Sequence, residues 1–365
     1  MTTPRAWLER WEAMESPLAH LPRWAAIGLL ALLATTMAWS AWHFLPGGEP
    51  ATEAPAAASQ TEKGKGDLAL YRRISERVIA GEGYYAAALA EQRSGNYPAY
   101  PFVTVRLPTL AMVHKVIGFD GARWLALGLL IATILAFLWR FRERAHAMER
   151  AAAGVLVLFG GAAAITPEAG LIHELVAGLL LSLSLALYRP DRWWPALLAA
   201  ALALAVRELA APFVALWLVF ALAQRRTGEA AAVLGVLVLF SLGLFLHQLG
   251  VAANRLPGDG ASQGWDAMAG LGLPLGALST LTILLILPKW VAAPLAILPL
   301  AGWLGYGKRL GLFAALWFGG MLLAIALFAR PENFYWVQLT LPAYLAGFAF
   351  VPRALKDLAE AASGR

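Results

Sequence analysis

Long apolar runs separated by short polar segments dominate the chain. About 20 apolar residues cross a bilayer as a helix, and the run Trp24 to Leu45 has that length. Further apolar runs follow at 121–140, 151–166, 171–188, 193–210, 212–224, 229–249, 268–287, 289–306, 310–329 and 334–352. This pattern predicts an all-α polytopic membrane protein.

The run 268–287 differs from the others because Pro274 and Pro288 bracket it. We interpret it as a re-entrant or interfacial segment, since irregular backbone at membrane depth must be buried in protein. If it spanned, the cluster Lys308–Arg309 would leave the side that holds the other basic loops, against the positive-inside rule. The sequence therefore predicts about ten transmembrane helices with both chain ends in the cytoplasm.

Basic clusters at the ends of the runs set the predicted orientation. They lie at Arg140 to Arg150, Arg189 to Arg192, Arg225–Arg226, Lys308–Arg309 and Arg353 to Lys356. The resulting order is a cytoplasmic N-terminal tail (1–23), a first transmembrane helix (24–45), an extracytoplasmic loop with amphipathic helices (46–120), a transmembrane helical bundle (121–352) and a cytoplasmic C-terminal tail (353–365).

Composition agrees with this picture and excludes several classes of function. The chain is 60% hydrophobic and 14% charged, against about 25% charged residues in a soluble domain. Its net charge of +6 is spread over many loops, so orientation in the membrane explains it better than nucleic acid does. The chain has no cysteine, which excludes disulfides, thiolate metal sites and cysteine nucleophiles. The alanine- and leucine-rich composition favours a bacterial inner (plasma) membrane.

The polar insert from Asp67 to Pro108 is the predicted location of chemistry, because it must leave the bilayer. Apolar residues recur at helical spacing over Asp67–Ala80 with arginines between them, which predicts an amphipathic helix on the membrane surface. The preceding segment, 47–66, is rich in Ala, Pro, Glu and Lys and is typical of a flexible tether. A signal-peptide cleavage near Ser59 is the competing interpretation, although that site lies far from the apolar run.

Ionisable residues recur at the predicted outer ends of the helices, where they are functional candidates by default. They are His173 and Glu174, Arg207 and Glu208, His247, and the segment RPENFYW with Arg330, Glu332, Asn333 and Tyr335. Together they predict a polar cavity that opens outward beneath the Asp67 segment. Structural alternatives remain for each group: a helix cap for Asp67, an ion pair for Arg207 and Glu208, packing histidines, and a simple turn at RPENFYW.

With Asp67 in the first outer loop, the motifs GDLALYRRI…GEGYY, HELVAG, RELAAPF and RPENFYW resemble those of the C-type membrane glycosyltransferases (GT-C fold), which use polyprenyl-phosphate sugars. The resemblance implies that Asp67 is the general base and that Arg207 or Arg330 binds the donor phosphate. Many relatives carry a paired acidic motif at this point, whereas Leu68 follows Asp67 here. A second carboxylate would have to come from Glu82, Glu174 or Glu208.

The chemistry of such a transfer needs a base near the acceptor hydroxyl and positive charge at the departing phosphate. Arg207, Arg330 and Arg72 are the predicted phosphate ligands. The remaining predicted substrate-binding residues are Tyr71, Glu82, Tyr84, Tyr85, His173, Glu174, Glu208, His247, Glu332, Asn333 and Tyr335. No cofactor is implied, and a divalent metal could bind through carboxylates although no spacing specifies one.

The predicted function is therefore transfer of a sugar from a polyprenyl-phosphate donor to a lipid, glycan or protein acceptor on the extracytoplasmic face. The expected partners are these substrates and membrane lipids, and no nucleic acid. A transporter or flippase of a lipid-linked saccharide is the alternative from another class, and it predicts polar residues at mid-membrane depth. A non-catalytic assembly subunit is a third alternative.

Overall fold

The structure is a computed structural model that describes residues 4–46 and 66–364. Within those ranges every regular element is helical. The α-helices are α1 (Pro4–Ala13), α2 (Arg23–His43), α3 (Asp67–Ile79), α4 (Tyr84–Ser94), α5 (Thr109–Arg140), α6 (Ala147–Gly160), α7 (His173–Leu187), α8 (Trp194–Val206), α9 (Ala211–Ala223), α10 (Thr227–Asn254), α11 (Gly272–Thr280), α12 (Lys289–Leu295), α13 (Leu298–Tyr306), α14 (Lys308–Phe328), α15 (Leu341–Tyr344) and α16 (Val351–Ser363).

Short 3-10 helices connect several of these elements. They are Phe102–Thr104, Phe141–Glu143, Ala162–Ile165, Ala169–Leu171, Glu208–Ala210, Ile283–Ile286, Pro331–Leu339 and Leu345–Phe350. The predicted tether and the alternative cleavage site near Ser59 lie outside the described residues, apart from Gly66.

Four helical segments of the described chain are long and apolar enough to cross a membrane, or up to five if a bent pair is one span. The four are α2, α10, α14 and the segment Phe102–Glu143, which contains α5. The bent pair joins Pro331–Leu339 to Leu341–Ser363 at 61°. The most apolar window is 11% buried in α2 and 17% in α10, but 67% in α14. Helices α2 and α10 therefore present apolar side chains outward, while α14 runs through the bundle. The membrane prediction holds at this level, and the count of ten stays a prediction.

Helix lengths and breaks bear on two predictions, the re-entrant run 268–287 and the start of the helical bundle at residue 121. Helix α11 has 9 residues, about 13 Å at 1.5 Å per residue, so the run 268–287 contains no single helix that could cross a core about 30 Å thick. Helix α5 begins before the predicted boundary at 121 but is interrupted at Gly118, whose φ is 71° and ψ 177°. A backbone of that shape favours glycine because it has no Cβ.

Aromatic rings and close backbone approach fill the centre of the bundle. Phe137, Phe141, Trp303 and Phe350 are all buried, and the rings of Phe141 and Phe350 lie 5.1 Å apart. A Cβ added at Gly302 would overlap the carbonyl of residue 347. Small residues let helices approach closely where lipid removes the hydrophobic drive for association, so packing accounts for this part of the core.

Helices α3 and α4 form a lobe with its own apolar cluster. Leu70, Ile74 and Val78 of α3 are buried in it, and their i, i+4, i+8 spacing is one face of a helix. The predicted helix Asp67–Ala80 is observed as Asp67–Ile79. Its buried face packs on α4 and α5, and the predicted position on the membrane surface stays a prediction.

Ion pairs hold the polar faces of α3 and α4 together. Glu91 of α4 accepts hydrogen bonds from Arg73 Nε at 2.8 Å and Arg77 Nη1 at 2.9 Å. Burial acts to raise the pKa of Glu91, but the two arginine hydrogen bonds outweigh it and the pKa lies below its ordinary value. The ionised carboxylate therefore stabilises the lobe.

Candidate functional site

A cavity of about 520 Å³ lies between the lobe and the bundle. It is enclosed by the start of α3, the connection from α4 to Arg106, the loop 260–265, the segment 330–336 and Arg207. Residues more than 200 positions apart in sequence thus face one space, of the size that ligand sites occupy.

Asp67 occupies the first position of α3, after Gly66 as N-cap, and its side chain faces this cavity. Its Oδ2 accepts a hydrogen bond of 3.1 Å from the hydroxyl of Tyr335. Tyr97 also approaches Asp67: burial, then the carboxylate's charge and hydrogen bond, raise the pKa of this phenol to about 12. Its position at the start of α3, facing the cavity, places the Asp67 carboxylate to accept a proton from a bound hydroxyl.

Arg106 links Asp67 to the floor of the cavity. Its Nε donates to the Tyr71 hydroxyl at 2.9 Å, and its Nη2 donates to the Tyr335 hydroxyl at 3.1 Å. The same Tyr335 hydroxyl donates a hydrogen bond to Asp67. It therefore bridges the Asp67 carboxylate and the Arg106 guanidinium. Burial raises the pKa of Tyr71 well above its ordinary value, although the charge of Arg106 acts to lower it, so that phenol stays neutral.

Glu174 joins Arg106 to Arg207 in a buried ion network. Arg207 Nε donates to Glu174 Oε1 at 2.7 Å, and Arg106 Nη2 lies 3.5 Å from the same oxygen. Arg207 also donates to Glu208. Adjacent residues of a helix do not face each other, but Arg207 has extended backbone (φ −148°, ψ 118°) at the break between α8 and α9, and this break allows the pair.

Both guanidiniums keep capacity for a ligand. Arg207 is 2% exposed, yet it lines the cavity along with Arg106. Within the described chain, the hydrogen bonds of Arg106 use Nε and Nη2, and those of Arg207 use Nε and Nη1. Arg106 Nη1 and Arg207 Nη2 therefore remain as charged donors for an anion in the cavity.

The structure places eight of the predicted site residues on the cavity wall. They are Asp67, Tyr71, Tyr84, Arg207, Arg330, Glu332, Asn333 and Tyr335. Three others stand behind the wall: Glu174 and Glu208 bind Arg207, and His173 contacts the Tyr71 ring at a centroid distance of 4.8 Å. These three position cavity residues.

The remaining predicted residues make other contacts and do not line the cavity. Arg72 stacks on Phe119 at 4.7 Å, and Glu82 binds Arg77 at 2.6 Å. Tyr85 lies 5.5 Å from the ring of His247, which is itself hydrogen-bonded to the Val105 carbonyl at 3.1 Å. These side chains hold the lobe against α5 and α10.

Arg330 lines the cavity, but its guanidinium nitrogens donate hydrogen bonds to the loop 260–265. Its Nε donates to Gly264 O at 2.9 Å, while Nη1 and Nη2 donate to Oε1 and O of Gln263 at 2.7 and 2.8 Å. These bonds fasten the loop 260–265, which carries Trp265 to within 6.0 Å of the Trp336 ring. The contacts favour a role in shaping the cavity over the predicted role as a phosphate ligand.

Sequence reasoning missed several cavity residues, above all Arg106. The signal was present, because an arginine inside VTVRLP, directly before a membrane helix, is an ionisable group in apolar surroundings. Gln92 was also missed, whereas Trp336 belongs to the segment RPENFYW that the sequence had selected. Both are at least 95% buried and line the cavity, and the structure gives Gln92 Oε1 and Trp336 Nε1 no hydrogen-bond partner among the described residues. A hydroxyl-rich ligand would satisfy this acceptor and donor.

No cluster of three or more His, Asp or Glu side chains suited to a metal occurs in the ranges 4–46 and 66–364. Comparisons with protein-family models, curated proteins and solved structures give no match. The site must therefore be interpreted from its own geometry.

Proposed function

We propose that this chain is an integral membrane glycosyltransferase of the GT-C type that transfers a sugar from a polyprenyl-phosphate donor. The observation that carries the proposal is that the Asp67 carboxylate and the guanidiniums of Arg106 and Arg207 face one cavity of about 520 Å³. Because two hydrogen bonds of 3.1 Å share the Tyr335 hydroxyl, acid and cation lie close enough to act on one substrate. The proposal places about ten spans in a bacterial inner membrane, with the cavity on the periplasmic side.

In the proposed reaction the acceptor hydroxyl attacks the anomeric carbon of the donor sugar. Its proton passes to Asp67, and the bond between the sugar carbon and the phosphate oxygen breaks with the electron pair leaving on the phosphate. Arg106 and Arg207 then face the growing negative charge, which preorganised donors in a buried site stabilise strongly. Tyr71 and Tyr335 hold the Arg106 fork in place, so the cations need little reorganisation.

The walls of the cavity fit a saccharide attached to a lipid. Aromatic faces for packing of a sugar or an isoprenoid come from Tyr97, Trp265 and Trp336. Gln92 Oε1 supplies an acceptor that has no hydrogen-bond partner among the described residues. The cavity lies between the lobe, the loop 260–265 and the segment Pro331–Leu339, and that segment is the first half of the bent apolar pair that could form a span. A polyprenyl tail can therefore remain in the bilayer while its phosphate reaches the arginines.

The test is sugar transfer by the purified protein in lipid, with a panel of polyprenyl-phosphate hexoses and pentoses. Asp67→Asn should retain the fold and lose about 100-fold or more in kcat, the usual contribution of a general base. Glu76→Gln, an exposed change on the same helix, is the matched control and should leave kcat unchanged. Full transfer by a folded Asp67→Asn variant would refute the proposal. Movement of the lipid-linked sugar across the membrane without transfer would identify the protein as a flippase.

A further inference from the structure

A second cavity, of about 580 Å³, lies at the other end of the bundle. Helix α14 starts at this second cavity with Lys308, and Arg330, two residues after the helix ends, lines the first cavity. Its 21 residues rise about 31 Å. The two cavities are therefore separated by about the thickness of a membrane core, and the second is independent of the proposed reaction.

Guanidinium groups from separate elements meet in this second cavity. Arg140 ends α5, Arg144 follows the next 3-10 helix, and Arg189 follows α7. Glu143 is shared by two of them, with Oε2 at 2.7 Å from Arg140 Nη1 and Oε1 at 2.8 Å from Arg189 Nη1. One carboxylate therefore serves two cations.

Three buried guanidinium nitrogens around this cavity have no hydrogen-bond partner in the described parts of the chain. They are Arg140 Nε, Arg144 Nη1 and Arg189 Nε. A buried charged donor without a partner is costly, and a single such atom would be rare. Three such donors at one cavity are suited to a single polyvalent acceptor. Basic residues that merely orient a membrane protein would extend into water instead.

The acidic residues at this cavity do not supply that acceptor. Glu15 and Asp191 are exposed at its mouth, and Glu12 accepts a hydrogen bond of 2.6 Å from Gln224. Helix α1 closes one side, since Trp11 Nε1 donates to the Lys308 carbonyl at 3.2 Å. The floor is positive and the mouth is acidic.

We propose that this cavity binds a phosphate group. Phosphate presents three or more acceptor oxygens and up to two negative charges, which matches three convergent guanidiniums better than a carboxylate does. Trp139, under the Arg189 guanidinium at 4.0 Å, is 49% exposed, as expected at the level of lipid headgroups. The phosphate could belong to an anionic lipid or be free in solution, and both present the same oxygens.

The test uses the full-length protein in nanodiscs of neutral phosphatidylcholine, with two arms. One arm titrates inorganic phosphate, and the other replaces part of the neutral lipid with phosphatidic acid and counts retained lipid by native mass spectrometry. Arg144→Gln removes one unpartnered donor and should weaken binding about tenfold or more, as expected for a charged hydrogen bond. Arg142→Gln is the matched control, because Arg142 is exposed and does not line the cavity.

Binding of phosphatidic acid alone identifies a lipid headgroup, and binding of inorganic phosphate identifies a soluble ligand. Either result supports the proposal if Arg144→Gln loses it and Arg142→Gln keeps it. Equal binding by both variants, or no binding by the unmodified protein in either arm, would overturn it. Should Arg144→Gln fail to fold, Arg144→Lys, which keeps the charge but loses the planar fork, should weaken binding severalfold.

Discussion

Replacing Glu174 by Gln should destabilise the fold more than any other single carboxylate-to-amide change near the first cavity. The Glu174 side chain is 3% exposed and lies between Arg207 Nε at 2.7 Å and Arg106 Nη2 at 3.5 Å. Gln keeps the shape and one acceptor, so little packing is lost. It removes the negative charge and leaves two buried cations facing each other, which raises the energy of the folded state.

The expected loss is about 3–5 kcal/mol, the cost of removing one partner from a buried ion pair. With an unfolding entropy of about 2.1 cal/mol/K per residue, a chain of 365 residues should melt about 4–7 °C lower. Thermal unfolding of the detergent-solubilised protein, followed by scanning fluorimetry, measures this shift. Glu332→Gln is the control: the same chemical change at an exposed position should stay within about 0.5 kcal/mol.

A double variant tests whether charge is the cause. Adding Arg106→Gln to Glu174→Gln removes one of the two facing cations, so the pair should cost less than the two single changes together. Additive losses would show that Glu174 acts through packing alone, and an unchanged melting temperature in Glu174→Gln would refute the ion network itself.

Two further changes test the bundle and the lobe. Gly178→Ala places a Cβ against the carbonyl of Gln338 and should cost about 1–3 kcal/mol in a melting assay, whereas Gly235→Ala meets open space and should not. The lowered pKa of Glu91 means that its carboxylate stabilises the lobe above pH 4.5, and this effect is lost as pH falls through the folded value. Hydrogen exchange of α4 should therefore be faster in Glu91→Gln than in the unmodified protein at neutral pH, with the difference fading as pH falls below 4.5, and Glu76→Gln should show no difference.

Local patterns predicted the elements whose stability is local. The apolar run from Trp24 and the amphipathic repeat from Asp67 define α2 and α3 almost to the residue, because length and period depend on neighbours in sequence. The rule that ionisable groups in apolar segments are functional candidates also selected Arg207 and the segment that contains Tyr335, while the polar insert indicated Asp67, and the fold brings all three residues to one cavity.

The parts that could not be predicted depend on distant partners. No pattern near Arg330 shows that Gln263 and Gly264 occupy its donors. Arg106 was overlooked because its segment was interpreted as lying wholly outside the membrane, whereas the structure buries it against Glu174. The number of spans stays open for a related reason: α7, α8 and α9 have 15, 13 and 13 residues, so length alone does not decide whether each crosses a core about 30 Å thick.

The charged groups of the first cavity all lie where helices start or break, and this location has a physical cause. Asp67 begins α3 and Glu174 lies in the first turn of α7, so both carboxylates lie at the positive ends of helix dipoles. Arg207 lies at the break between α8 and α9, where unpaired backbone groups are tolerated because they border a cavity. Helix ends therefore supply the conformational freedom that brings these acids and arginines to one cavity. A carboxylate at this position can accept a proton from a hydroxyl that becomes more acidic as it attacks, and this fits the proposed nucleophilic attack by an acceptor alcohol.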